Sequence, residues 1–81
     1  MPRYYFHVMD GQEFVDLQGT QLRDLAAARK EALRFASGLL ADAKPNFWSG
    51  EEWTMRVTDS DDLTLFTLMF VATNAAAVKG K

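Results

Sequence analysis

The chain has 81 residues and a formal net charge of −2, which makes it one domain, because two cores would leave each half with about 40 residues. Hydrophobic residues at 48% and charged residues at 25% exclude a disordered chain. The absence of cysteine excludes disulfides and thiolate metal sites as supports for a small core, leaving close packing or oligomerisation.

The run Arg3 to Met9 (RYYFHVM) is dense in aromatic and β-branched residues, and Asp10-Gly11 follows it. That pairing predicts a strand and a tight hairpin turn. The return strand spans Glu13 to Leu17, and Asp16 with Gly19 suits a type I turn. Asp24 then precedes a run without Pro or β-branched residues, so its carboxylate caps a helix. Leu25, Ala28, Ala32, Phe35, Ala36 and Leu39 recur at three- and four-residue steps, as an amphipathic helix requires. Pro45 ends it near Asp42.

The connection from Lys44 to Glu52 carries Phe47 and Trp48 among turn-forming residues. Trp53 to Thr58 alternates as a half-buried strand. After the polar turn Asp59 to Asp62, Leu63 to Val71 (LTLFTLMFV) is apolar on both faces, which predicts a central strand. The order is ββαββ. It predicts an α+β domain over residues 1–72, with one long helix packed across one face of a four-stranded antiparallel sheet. Residues 73–81 form an Ala- and Lys-rich tail, too short to hold a helix alone and expected to be mobile.

The opening Met1-Pro2-Arg3-Tyr4-Tyr5-Phe6-His7-Val8, with Asp10-Gly11, Asp16 and Gly19, and a helix bearing Ala28-Arg29 and Glu31-Ala32, resembles a widespread family of short bacterial proteins of unknown function. Trp53, Val57 and Asp59, then Leu65, Leu68 and Phe70, look like that family's second hairpin, so the resemblance runs from Met1 to about Ala72. The chain departs from it in lacking a glycine after Asp59 and in carrying the alanine-rich extension. The resemblance implies the fold already derived and no activity or catalytic residue.

One helix covers only one face of such a sheet, so the other face is the main functional clue. Strand parity puts Tyr4, Phe6, Val8, Trp53, Met55, Val57, Phe66, Leu68 and Phe70 under the helix. Arg3, Tyr5, His7, Met9, Thr54, Arg56, Leu65, Thr67 and Met69 then share the uncovered face. The candidate interaction residues are Tyr5, His7, Met9, Arg56, Leu65 and Met69, together with Phe47 and Trp48 as a second contact region. The expected partner is a protein, first of all a second copy in a homodimer.

The rival reading is a nucleic-acid platform or regulatory module built on Arg3, Tyr5, His7 and Arg56. The charge opposes it: seven of the nine basic residues and all eleven acidic ones precede the tail. The folded part therefore carries −4, without the basic field that phosphate binding needs.

An enzyme would have to rest on His7, the lone histidine, with Asp10 or Arg56 nearby, and no motif supplies a nucleophile. The acidic turn Asp59-Ser60-Asp61-Asp62 opens like an EF-hand, yet its sixth position is Thr64 and its twelfth Phe70. One histidine and no cysteine leave no recognisable zinc or haem site, so no metal or cofactor is expected. No apolar run at the N-terminus resembles a signal peptide or membrane span, and the expected location is the cytoplasm.

Overall fold

The structure, a computed structural model, describes residues 1–42, 52–73 and 75. Phe47 and Trp48, and all of the proposed tail but Thr73 and Ala75, lie outside the described residues. Strand β1 (Arg3–Met9) is followed by β2 (Glu13–Phe14) and β3 (Thr20–Gln21), helix α1 (Leu25–Ala41), then β4 (Trp53–Thr58) and β5 (Thr64–Phe70). All strand pairs are antiparallel, and the sheet order is β2-β1-β4-β5, with β3 also paired to β1.

The class is α+β, as the pattern of elements predicts, but the sheet has five strands rather than four. The return segment divides into two two-residue strands along one edge of β1. Val8 pairs with Phe14 and Met9 with Glu13. The chain then leaves the edge and comes back, so that Arg3 pairs with Gln21 and Tyr4 with Thr20. A three-residue loop makes the first reversal, with Gly11 at φ 93° and the Asp10 N–H donating to the Gln12 carbonyl at 3.2 Å. A left-handed residue in such a loop suits glycine.

Helix α1 begins where its cap predicts. The Asp24 carboxylate accepts the Ala27 N–H at 2.9 Å, satisfying one of the free donors of the first turn. The helix ends at Ala41, with Asp42 as its cap. Of the apolar stripe, Ala28, Ala32 and Ala36 are buried, whereas Phe35 and Leu39 remain partly exposed. Four-residue spacing places these alanines in one seam. Their small side chains let the helix lie close over Met55 and Val57, both fully buried in β4. Tyr4, Phe6, Val8 and Trp53 complete the core, with Phe66, Leu68 and Phe70 partly buried against it.

The central strands are β1 and β4, and β5 lies at the sheet edge. The central position expected for Leu63 to Val71 is thus corrected. Apolar residues on both faces report what a strand packs above and below, not what pairs beside it. β5 follows β4 by a short turn and pairs with it as a hairpin, while β1 takes β4's other side.

The turn between β4 and β5 is held by Asp59. Its Oδ1 accepts the Asp61 N–H at 2.8 Å and the Leu63 N–H at 3.0 Å, an arrangement that side-chain carboxylates favour in turns. With no glycine available, Asp62 adopts φ 63°, a left-handed conformation that disfavours L side chains. Asp62→Gly is expected to stabilise the domain by up to about 1 kcal/mol, read as a raised urea midpoint at unchanged m-value. The Asp62 carboxylate is well exposed and 3.7 Å from Arg56 Nη1, so its loss offsets little of this gain.

Candidate functional site

Strand register sorts the uncovered face into rows. Met9 lies opposite Thr54 and Thr54 opposite Met69; next come His7, Arg56 and Thr67; then Tyr5 and Thr58. A bulge between Val57 and Thr58 makes Thr64 the partner of Thr58. Leu65, the residue that this register shift skips, is partly buried against the core rather than on the uncovered face that strict alternation predicts, because the bulge breaks the two-residue period there.

The face has two chemically different ends. At the Arg3 end, the loop between β2 and β3 is fastened to it. His7 is 8% exposed and both ring nitrogens are engaged. Nδ1 accepts the Asp16 backbone N–H at 3.1 Å, which leaves Nε2 carrying the proton and donating to Thr58 Oγ1 at 3.1 Å. The Tyr5 ring lies nearly parallel to His7, at a 6° interplanar angle and 6.4 Å between centroids. Arg3 Nη1 donates to the Gln18 carbonyl at 2.7 Å.

Asp16 organises this loop. Its Oδ2 accepts the Phe6 N–H at 3.1 Å, and its Oδ1 accepts those of Gln18 at 3.1 Å and Gly19 at 2.9 Å. Burial pushes the carboxyl up, but the hydrogen bonds from the Gly19, Phe6 and Gln18 amides outweigh it, holding Asp16 below the usual aspartate range. Asp16, rather than Asp10, is the acidic residue that reaches His7, and it does so through its backbone. The Asp16-to-Gly19 spacing signals the turn, but nothing in it points to Phe6 or His7.

Arg56 is half-exposed; its Nη1 donates to Thr64 Oγ1 at 3.1 Å. Arg3, Tyr5 and His7 are therefore engaged with the protein itself, while Met9 at 45% and Met69 at 60% exposed remain open with Thr54 between them. Beyond them Val71 is also exposed. Of the candidate residues, the structure engages Tyr5 and His7 at the loop end, ties half-exposed Arg56 to Thr64, and leaves the two methionines as the accessible apolar end.

A second feature escaped the pattern of the sequence. A groove of about 1040 Å³ runs between α1 and the β1–β2 edge, with Phe6, Val8 and Trp53 among its lining and Phe14, Phe35 and Leu39 beside them. The signal for it is the helix stripe, whose alanines alone are buried. Among the described residues there is no cluster of three or more His, Asp or Glu able to hold a metal, and no helix long and apolar enough to cross a membrane.

The model of a domain of unknown function, DUF6894, matches residues 3–71, from the first residue of β1 to just beyond β5. No curated protein matches the chain, and no solved structure does. The match covers both hairpins and the helix, and with them the whole sheet, so the chain belongs to the DUF6894 family of unknown function.

Proposed function

We propose that this domain works through protein contacts on the uncovered side of its sheet, and that its first partner is a second copy of itself. The observation that carries this reading is the accessible apolar end of the face, where Met9 and Met69 flank Thr54. Methionine is adaptable and polarizable, suited to contact surfaces, and a domain this small gains core area by association. The polar end supports the same division of labour, since its histidine and Arg3 hold the protein's own loop.

Light scattering across micromolar concentrations tests this, with a two-copy species expected. Met69→Lys is expected to weaken the association at least tenfold while changing monomer stability by less than about 0.5 kcal/mol, as for an exposed site. A monomer throughout the high micromolar range would overturn the reading.

A further inference from the structure

The most apolar segment of the chain lies on a sheet edge. β5 reads TLFTLMF, without charge, proline or glycine, and none of its seven residues is buried. In β4 beside it, Trp53, Met55, Val57 and Thr58 are all buried. An edge strand exposes a row of backbone donors and acceptors, and soluble proteins usually blunt such edges with charges, proline, bulges or short strands. The opposite edge has such protection. It consists of two two-residue strands interrupted by the Asp16 loop, with Glu13 and Asp16 on it. Along β5, the one irregularity is the bulge at its first pair with β4.

We infer that the outer edge of β5 pairs antiparallel with β5 of a second copy, about a two-fold axis at Thr67. The strand is self-complementary in this register. Thr67 meets its own counterpart, and Phe66 meets Leu68 of the other copy. Phe66 and Leu68 already pack against the core on the helix side, so their pairing carries the core across the axis. Thr67 and Met69 lie on the uncovered side, where no like charges oppose each other, while Leu65, at the bulge, stays packed against its own core. Cross-strand pairs of this kind are the stabilising units of sheets.

Among the described residues only one of the two edges is unprotected, so the contact is isologous and stops at two copies. Both helices then lie on one side of a continuous sheet, and the two uncovered faces join on the other. The inference rests on the self-association proposed above and specifies where the second copy attaches. It also accounts for the apolar residues on both faces of a strand that is outermost in the single chain.

Charge substitutions at the axis provide the test. Thr67 is exposed, so Thr67→Lys and Thr67→Glu place like charges opposite each other in a homodimer. Each variant alone is expected to be monomeric, with association weakened at least tenfold; mixing them is expected to restore a two-copy species containing one of each. That mixing also shows that both variants fold. In the wild type, outward-facing β5 amides are expected to gain hydrogen-exchange protection as concentration rises.

A dimer that Met9→Lys disrupts but Thr67→Lys does not, with β5 amides unprotected, would overturn edge pairing and leave self-association through the open face standing. A wild-type monomer at all concentrations would overturn both.

Discussion

Gly19→Ala is expected to destabilise the domain by about 2–4 kcal/mol, a sum of backbone strain and steric overlap. Gly19 has φ +70°, and a Cβ there would stand 2.8 Å from Arg3 Cγ, 2.9 Å from Tyr5 Cε2 and 3.0 Å from the Tyr4 carbonyl oxygen. The arginine stem can move, but the Tyr4 carbonyl belongs to a core strand and its displacement would disturb β1. For a domain of this size the loss is a large share of the total stability. Urea unfolding at neutral pH checks it. A loss below about 1 kcal/mol would mean that the β2–β3 loop is not packed against β1 as described. Loop displacement would also free the Asp16 N–H from His7 Nδ1, altering the ring nitrogen shifts in an NMR spectrum.

Asp16→Ala is expected to cost about 2–4 kcal/mol, because a charged acceptor of three backbone N–H groups disappears at once. The Phe6 N–H suffers most, since it belongs to a strand buried beneath the helix and its partner is this side chain. Asp16→Asn is expected to cost about 1–3 kcal/mol: its remaining oxygen can still accept from Gln18 and Gly19, but its amide group presents a donor to the Phe6 N–H.

The two variants also separate charge from shape through pH. Asp16 has a lowered pKa in the folded protein, so the folded state binds its proton less readily than the unfolded chain. Its stabilisation is present above the unfolded value of about 3.9 and is lost as pH falls through that value towards the folded one. Wild-type stability should therefore fall more steeply than that of Asp16→Asn between about pH 5 and pH 2. Parallel curves for the two proteins would show that the carboxylate charge is not linked to folding.

Much of the architecture was legible because half-buried strands write their faces into a two-residue period. Tyr4, Phe6 and Val8 alternate with Tyr5 and His7, and Trp53, Met55 and Val57 alternate with Thr54 and Arg56; the structure assigns both sets to the faces this predicts. Asp24 likewise announces its helix through a bond only three residues long. Edges leave no such trace, and so the composition of β5 predicts a central strand where the sheet has an edge. Thr20–Gln21 is too short to show a period, which hid the fifth strand. The grip of Asp16 on Phe6 spans ten residues of chain, beyond the reach of turn patterns. Phe35 and Leu39 follow the helix period but lie outside the narrow alanine seam, because periodicity gives the direction of a stripe and not the width of its contact.

The pairing of β1 with β4 has a consequence for how the molecule assembles. Tyr5 meets Thr58 and Met9 meets Thr54, pairs separated by 53 and 45 positions, whereas β2 follows β1 and β5 follows β4 by a short turn. Closing a loop of that length costs about 3 kcal/mol of chain entropy before any contact across it is gained. Two local hairpins can therefore form within microseconds, while their union sets the folding rate. During that interval both sides of the second hairpin are open, including the side of β4 that β1 will cover. The most vulnerable moment for this chain comes before its halves meet, and crowding at that stage would favour pairing between the wrong molecules over completion of the sheet.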